Sequence, residues 1–582
     1  MTNEQINAQA AAVPVQERPV PPSEHYPFAA FLGIYGGEHI AATEFVIGAL
    51  LVTWGVRAWE LIAGLVVGNL LAASSYALVT APIAVDTRLS LFAYLRKVTG
   101  PWFQRIFNAA WGVVSIVWAS SMMAISASSL KAAVGLPVQL EWYPTSGACV
   151  ALTLVLVAVT VLVGAYGFKG VVRFSSLCVP WMAVIFFCGA AVGVPMLAKA
   201  TGFGQVEGLS GFMKLLDAQV FNGAVPDGCA RLSWIHVAAF SWMCGFVYHV
   251  GLNDMAIFRY ARKASYGWVG LFGMFLGHFF AWICAGVMGA AAAAVLKTEL
   301  NQLDSGAVTA TVFGWSGLFA VVVAGWTTAT PNIYRAALSF ATFFPRAGFR
   351  RLAFGVGAVI AICSCFPGVM RIDMIANIAA LLVPSVGAIC LVEHWLFPRL
   401  GWVRHWNLYR GRRLNPAALA AWITASLFAL TGAMGGWMHP FFLPIPTFLM
   451  AGVAYFVFAG LMGAREPIAP ERQIMVDAVE ARIAELAEEA ATHPGTVHQN
   501  AKSPSHPGTV PKSAKSLSHP GTVPQSAKLP VSTVFAVLSW IALAALMVGA
   551  CCFPESFRGF SVWCTVAYFS FAVLAAKLKF NA

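Results

Sequence analysis

The stretch that decides the fold runs from residue 234 to residue 263 and reads WIHVAAFSWMCGFVYHVGLNDMAIFRYARK. It begins as an apolar, aromatic segment and then gathers glycines and polar side chains near its middle: Gly245, His249, Gly251, Asn253 and Asp254. Glycine weakens the helical hydrogen-bond ladder, and an ionisable group inside a membrane span marks a functional site because it needs a partner. The pattern therefore predicts either the lining of a substrate path or polar packing between helices.

The composition is that of a polytopic membrane protein. Of the 582 residues, 59% are hydrophobic and only 10% are charged, and the mean hydropathy is +0.74. A helix that crosses a bilayer needs about 20 apolar residues, and runs of this kind recur along the chain. The net charge of +12 comes from lysines and arginines in short loops between the runs. Membrane topology explains that distribution, so we expect a bilayer partner and no nucleic-acid partner.

The apolar runs predict an all-α protein with twelve spans and a further C-terminal pair. The twelve lie at about 28–56, 58–84, 105–134, 147–168, 174–198, 234–257, 266–296, 307–329, 351–370, 374–397, 416–436 and 443–463, and the pair at about 532–552 and 560–578.

Basic residues are concentrated on one side of the predicted bundle. One side collects Arg88, Arg96, Lys97, Arg105, Lys169, Arg173, Arg259, Arg262, Lys263, Arg335, Arg346, Arg350, Arg351, Arg399, Arg404, Arg410, Arg412 and Arg413. The other side has only scattered charges. Because cytoplasmic loops are enriched in lysine and arginine, we predict a multi-pass protein of the plasma (inner) membrane with a cytoplasmic N-terminus.

The remaining segments divide the chain into five parts. Residues 1–27 are polar and Pro-rich and are predicted to be a disordered cytoplasmic N-terminus. Residues 28–463 hold the core of twelve predicted spans. Residues 464–490 predict a cytoplasmic amphipathic helix. In 491–529 the motif His-Pro-Gly-Thr-Val recurs three times with a period of 13, which predicts a disordered linker. Residues 530–582 hold the C-terminal helix pair.

The sequence contains no pattern typical of an enzyme. The 12 cysteines are mostly single and apolar in context, and there is no CxxC pair, Cys/His cluster, phosphate loop or nucleophile elbow. We therefore predict a protein that is not an enzyme, with no cofactor, no catalytic residue and no structural metal site.

Four segments together point to a known family. They are LIAGLVVGNLLAA (61–73), VGLNDMAIFRYARK (250–263), AGWTTATPNIYRAALSFA (324–341) and IAALLVPSVGAICLVEHWL (378–396). Their order and spacing resemble the nucleobase:cation symporter-1 family, which includes cytosine permease and the purine, allantoin and hydantoin transporters. The resemblance covers about residues 28–463.

The resemblance implies the leucine-transporter-like fold, with spans 1–5 and 6–10 as two inverted repeats and spans 11 and 12 as accessory helices. In that fold spans 1 and 6 are unwound midway and the substrate binds at the break. The residues agree with this expectation. Span 6 contains Gly245 and Gly251, and span 1 contains several glycines: Gly33, Gly36, Gly37 and Gly48.

The resemblance also implies a substrate site. Trp118 of span 3 falls where relatives stack an aromatic ring on a heterocycle, and Phe246 is the candidate for the opposite wall, although both are equally compatible with packing. Gly245, Tyr248 and His249 complete the candidate pocket. Ser115 and Ala324 replace polar residues that address the base in relatives, so the resemblance implies a planar heterocycle without specifying which one.

The candidates for coupling and gating come partly from the resemblance and partly from the residues themselves. Thr327 and Thr328 match the span 8 position that holds sodium in relatives, although such threonines also bond to their own helix. Glu44 is a lone carboxylate inside span 1 that the family pattern does not require. We predict that it couples proton or cation binding to transport, and the alternative is a carboxylate in an entry vestibule. Asp254 and Arg259 form either an intracellular gate pair or an ordinary helix-end ion pair.

The sequence therefore predicts a secondary active transporter that imports a nucleobase or related planar heterocycle, coupled to Na⁺ or H⁺ by alternating access. Two alternatives remain open. One is a carrier of amino acids or other small polar solutes with the same fold. The other is a membrane sensor or scaffold that binds a ligand without transporting it.

Overall fold

The structure is a computed structural model that describes residues 2–137, 141–225, 230–300, 303–370, 372–492 and 530–581. Within these ranges the chain is helical and forms no strand, and two isolated bridges pair Tyr26 with Ala261 and Arg57 with Asn222. The predicted 491–529 linker lies almost wholly outside the described residues, so it stays a prediction.

The fourteen predicted spans are observed as single helices or as runs of two or three helices. Their bounds are Phe28–His39 with Thr43–Val52 (span 1), Ala58–Ser75 continuing to Thr87 (span 2), Pro101–Ala133 (3), Gly147–Ala165 (4), Gly167–Thr201 (5), Trp234–Cys244 with Phe246–His249 and Met255–Phe258 (6), Val269–Met274 continuing to Leu296 (7), Ser305–Phe313 with Trp315–Phe340 (8), Phe349–Cys363 (9), Ile372–Leu391 continuing to Arg399 (10), Pro416–Gly435 (11), Pro444–Leu461 (12), Val531–Cys552 (13) and Phe557–Asn581 (14). Shorter helices lie at Leu91–Val98, Gly208–Leu215 and Trp406–Tyr409.

Ten of the described helices, in spans 2–5, 7 and 10–14, are long and apolar enough to cross a membrane. The chain is therefore a multi-pass membrane protein. The other four spans are interrupted, short or rich in polar residues, and three of them line the candidate site described below.

The first ten spans form two halves with matching partners. Span 1 packs against spans 5 and 7, and span 6 packs against spans 10 and 2, while span 3 lies along span 8. Each half thus places its first helix between its own fifth helix and the second helix of the other half. These are the relations that an inverted five-helix repeat predicts.

Span 1 breaks between its two helices, at Ile40–Ala42. The predicted glycines do not form this break. A Cβ on Gly33 would overlap the backbone of Ser176 in span 5, and one on Gly48 would overlap span 7. The glycines of span 1 are therefore sites of close helix packing, and the prediction that they interrupt the helix was wrong.

Span 6 breaks twice, and glycine has a part in both places. Trp234–Cys244 ends at Gly245, and after one further turn the chain passes through Gly251 and Leu252, which has φ +64°. A Cβ on Gly251 would lie 2.4 Å from the carbonyl oxygen of Val247. The side chain of Asn253 donates to that same carbonyl at 2.8 Å, so the second break is closed by its own polar residues.

The carbonyls released at the breaks lie against glycines or hydroxyls of neighbouring spans. A Cβ on Gly277 of span 7 would lie 1.9 Å from the carbonyl oxygen of His39, and one on Gly387 of span 10 would lie 2.0 Å from that of Val250. Thr80 of span 2 donates to the carbonyl of His249. Backbone groups inside a bilayer must be satisfied by protein, and these contacts hold the unwound segments in place.

The N-terminal segment differs from the expectation of disorder. Residues Asn3–Ala11 form a helix that packs against the helix Pro470–Thr492. Beyond it, Glu17 is buried and accepts from Gln104 of span 3 at 3.2 Å and from Thr342, just after span 8, at 2.7 Å. The polar composition suggested a solvated tail, but its side chains instead find partners at the helix ends of the bundle.

The C-terminal helix pair packs against span 5. Trp181 donates to the hydroxyl of Thr565 at 3.1 Å, and the hydroxyl of Tyr568 donates to the carbonyl of Leu177 at 2.7 Å. The pair is thus joined to the core by specific hydrogen bonds as well as by apolar contact.

The close approach at Gly387 can be tested by stability. We expect Gly387→Ala to lower the unfolding free energy by about 1–3 kcal/mol, because a methyl group there would collide with the span 6 backbone. Gly355→Ala is the matched control, since a Cβ at Gly355 meets open space and alanine favours helix. Thermal unfolding of both variants in detergent measures the difference, and equal stabilities would contradict the packing described here.

Candidate functional site

A buried ion triad lies at the centre of the bundle. Arg335 of span 8 binds both oxygens of Glu38 in span 1, at 2.5 and 3.0 Å, and it also forms an ion pair with Asp254 of span 6. The side chains are 0%, 8% and 1% exposed in that order. A charge in such surroundings is tolerated only when it is paired, so the triad ties spans 1, 6 and 8 to one another next to both helix breaks.

Aromatic side chains surround this triad. The hydroxyl of Tyr35 donates to Asp254 at 2.6 Å, and the guanidinium of Arg335 lies 4.6 Å from the ring centroid of Tyr248. The hydroxyl of Tyr248 donates to the amide oxygen of Asn332 at 3.4 Å. The polar atoms of spans 1, 6 and 8 thus form one connected network.

Span 3 closes the other side of Tyr248. The ring of Trp111 meets that of Tyr248 edge to face, with centroids 6.3 Å apart. Ser115 follows one turn later on the same face of span 3. Both residues are buried, yet neither Trp111 Nε1 nor Ser115 Oγ has a hydrogen-bond partner among the described residues. An unpaired buried polar group costs about 1–3 kcal/mol, so these atoms mark a place where a bound molecule or water would gain hydrogen bonds.

Hydroxyl and carbonyl oxygens gather where span 8 meets the break of span 1. Thr327 and Thr328 both donate to the carbonyl of Ala324, at 3.1 and 3.0 Å. Thr328 also lies 3.5 Å from the carbonyl oxygen of Glu38. Hydroxyl and carbonyl oxygens are donors suited to a hard cation, so this group of oxygens fits Na⁺ in chemistry.

Solved structures share this fold. A structure of Mhp1, described as a nucleobase-cation-symport-1 family transporter in a closed conformation with bromovinylhydantoin bound, gives a TM-score of 0.60 at 14% identity, covering 81% of this chain and 98% of that one. Mhp1 in an inward-facing conformation gives 0.57 at 15% identity, covering 79% and 97%. A substrate-bound, outward-open Na⁺-coupled sialic acid symporter gives 0.56 at 12% identity, covering 79% and 96%.

The chain has the leucine-transporter-like fold. The predicted resemblance to the nucleobase:cation symporter-1 family is confirmed at the level of fold. No model of a known protein family matches the sequence, and no curated protein matches it.

Within this fold the predicted gate pair is wrong. Asp254 pairs with Arg335, whereas Arg259 donates to the hydroxyl of Tyr334 at 2.9 Å and to the carbonyl of Gln16 at 3.2 Å. Arg335, which was counted among the loop arginines, is fully buried in span 8. The physical reason is that span 8 continues to Phe340, and this brings Arg335 level with two buried carboxylates.

The aromatic walls also differ from the prediction. Trp118 lies half-buried two turns beyond Trp111, and it is Trp111 that meets span 6. Phe246 faces away from span 3 and packs edge to face on Phe448 of span 12, with centroids 6.2 Å apart. The ring facing span 3 is that of Tyr248, because two residues along a helix reverse the direction of a side chain.

The remaining predicted pocket residues lie at the edges of the site. His249 is buried, and its Nε2 lies 3.1 Å from the carbonyl oxygen of Trp242, so it fills the first break of span 6. Gly245 forms that break, where a Cβ would lie 3.3 Å from the His249 ring. Ala324 contributes its carbonyl to the threonine group. Asn332 lies two turns further along span 8, where its side chain donates to the carbonyl of Thr328 at 2.9 Å.

Glu44 lies apart from the triad. It is buried in the first turn of the second helix of span 1 and accepts from Trp282 Nε1 of span 7. Trp282 stacks on His278 with ring centroids 4.5 Å apart, and His278 lies 5.2 Å from His39. Glu44 therefore has a polar neighbourhood of its own, and its role in coupling stays a prediction.

Sequence reasoning missed Glu38, Trp111, Asn332 and Arg335 as site residues. Two of them left a signal that could have been read. Glu38 lies six residues before Glu44 in the same apolar run, and Arg335 follows the TTATPN segment of span 8 without an intervening loop residue. Treating every charge within a predicted span as a site candidate would have found Glu38, whereas finding Arg335 also requires extending span 8 beyond its predicted end at 329.

The observed pairing can be tested with two double-mutant cycles. We expect Asp254→Asn and Arg335→Gln to be coupled by more than about 1 kcal/mol in unfolding free energy, because they share one buried ion pair. Asp254→Asn and Arg259→Gln should be additive to within about 0.5 kcal/mol. Unfolding of the purified variants in detergent gives both coupling energies, and the opposite order would restore the gate pair.

Proposed function

We propose that this protein is a secondary active transporter that moves a planar heterocycle of the nucleobase or hydantoin type, coupled to Na⁺ or H⁺ by alternating access. The observation that carries the proposal is the pair of unsatisfied buried donors, Trp111 Nε1 and Ser115 Oγ, on the span 3 face that meets Tyr248. They lie next to the breaks of spans 1 and 6, where this fold binds its substrates.

A planar heterocycle suits this chemistry. Its flat face would stack against Trp111 or Tyr248, and aromatic stacking on a base contributes about 1–3 kcal/mol. Its ring nitrogens and carbonyls would pair with Trp111 Nε1, with Ser115 and with the amide of Asn332. Bromovinylhydantoin, the compound bound in the similar Mhp1 structure, is such a ring.

The ion triad, which joins span 1 of the first repeat to spans 6 and 8 of the second, supports alternating access. Spans 1 and 6 are interrupted helices whose breaks are bridged by one arginine of span 8. Rocking of one repeat against the other would move these helix ends relative to span 3 while the site stays between them. Thr327 and Thr328 are the candidate ligands of the coupling ion, and Glu44 is a second candidate for coupling.

The same proposal covers location and partners. We propose that the protein resides in the inner membrane with a cytoplasmic N-terminus, that it imports its substrate, and that it performs no bond chemistry and needs no organic cofactor. The supporting observation for the orientation is the concentration of basic residues on the side of the bundle that carries the N-terminus.

An amino-acid carrier is the weaker alternative. An amino-acid substrate would bring a carboxylate into the site, and Arg335 is the cation that this carboxylate would seek. Both terminal nitrogens of that guanidinium already bind Glu38 or Asp254, so a third carboxylate would meet repulsion from two others.

Uptake into proteoliposomes tests the proposal. Labelled cytosine, uracil, adenine, hypoxanthine, allantoin and hydantoin would be offered under an inward Na⁺ gradient, an inward proton gradient, and neither. We expect one compound to accumulate with one gradient. Accumulation of amino acids instead would establish the alternative carrier, and ligand binding without flux would indicate a sensor.

Variants of the aromatic wall test the site itself. We expect Trp111→Phe, which keeps a ring and removes Nε1, to raise the KM for uptake about tenfold, which corresponds to one lost hydrogen bond of about 1.4 kcal/mol. Trp111→Ala should lose more because the stacking surface is also lost. Trp102→Phe is the matched control, since Trp102 is exposed at the start of the same span. A KM unchanged by Trp111→Phe would remove Trp111 from the site.

A further inference from the structure

The buried triad carries one more negative charge than positive charge. Glu38 and Asp254 each bring a carboxylate, and Arg335 brings the one guanidinium that joins them. Among the described residues no other cationic side chain lies within ion-pairing distance of either carboxylate. The other groups in contact with the triad, Tyr35 and Tyr248, are phenols. An unmatched charge in the middle of a bilayer is expensive, so the triad calls for a further positive group.

The group of oxygens beside the triad is where such a charge would bind. Glu38 belongs to both, because its carboxylate binds Arg335 while its own main-chain carbonyl lies 3.5 Å from the hydroxyl of Thr328. Glu38 therefore connects the triad and the group of oxygens directly, without another side chain between them.

A third hydroxyl group, Ser175 Oγ of span 5, lies close to the same part of span 1. A Cβ built on Gly37 would lie 3.2 Å from Ser175 Oγ of span 5 and 3.3 Å from the Cβ of Thr327. Ser175 is 1% exposed, and its hydroxyl has no hydrogen-bond partner in the part of the chain that the structure describes. The space beside Gly37 is thus bordered by hydroxyl-bearing residues of spans 5 and 8, one of them unsatisfied.

We propose that the unmatched carboxylate charge of the Glu38–Arg335–Asp254 triad is the counter-charge of Na⁺ bound by Thr327, Thr328 and the carbonyls at the span 1 break. The role of this ion in transport rests on the proposed function, whereas its binding does not. The triad then serves two purposes, since it joins spans 1, 6 and 8 and sets the affinity of the neighbouring oxygens for a cation. Asp254 acts at a distance and contributes no ligand atom.

The proposal predicts that Na⁺ affinity follows the net charge of the triad. Glu38→Gln and Asp254→Asn each bring the net charge of the triad to zero. Both should raise the Na⁺ concentration for half-maximal stabilisation about tenfold or more, because a buried unit charge is screened less than one in water. The double variants E38Q/R335Q and D254N/R335Q restore one net negative charge and should recover most of the affinity.

The experiment measures thermal unfolding of the purified full-length protein in detergent, without substrate, as NaCl replaces choline chloride at constant ionic strength. Glu60→Gln is the control, because Glu60 is a buried carboxylate of span 2 that pairs with Arg231. Thr328→Ala should abolish the Na⁺ effect. Arg335→Gln is used only together with a carboxylate substitution, so the experiment does not depend on whether the Arg335→Gln single variant folds.

Three results would overturn the proposal. The first is a wild-type protein that Na⁺ does not stabilise relative to choline. The second is a Na⁺ effect lost in Thr328→Ala but unchanged in Glu38→Gln and Asp254→Asn. The third is a loss in these two variants that the double variants do not recover. Na⁺ stabilisation that follows the charge ladder in a protein that transports no heterocycle would uphold this proposal and refute the proposed substrate, so the two can fail separately.

Discussion

One buried arginine determines how the centre of this protein is arranged. Arg335 cannot shed its charge, and from span 8 it must find acceptors within the bilayer. It finds them on the two helices that the fold interrupts, Glu38 in span 1 and Asp254 in span 6. Removing Arg335 would leave two buried carboxylates without a counter-charge. The positions of the helix ends therefore follow from the reach of a single side chain.

The breaks in spans 1 and 6 are possible because other helices accept the released backbone. The carbonyl of His39 lies against Gly277 of span 7, and that of Val250 lies against Gly387 of span 10. In each case the glycine that matters is on the neighbouring helix, since the absence of its Cβ lets the unwound carbonyl approach. The two breaks thus use the same kind of contact, although spans 7 and 10 hold different positions in the repeat.

The network also explains why the site residues are spread over four spans. Trp111 and Ser115 come from span 3, which is a continuous helix and offers a rigid wall. Tyr248 comes from the one-turn helix between the two breaks of span 6, and its ring meets that of Trp111 edge to face.

Much of the architecture was decided by the sequence alone. Apolar runs of membrane-spanning length, their order, the polar patch of span 6 and the similarity of four segments to a transporter family were sufficient to predict the fold, because the bilayer imposes length and hydropathy on every span. Only the tertiary structure decided which residues meet. Register along a helix is invisible to composition, so the sequence predicts Trp118 and Phe246 as the two aromatic walls, whereas the structure brings Trp111 and Tyr248 together. Arg335 was assigned to a loop and Asp254 to Arg259, because a charge near the end of an apolar run can lie in either environment. In the structure Arg335 lies inside the bundle, because Glu38 of span 1 and Asp254 of span 6 compensate the energy of burying its charge.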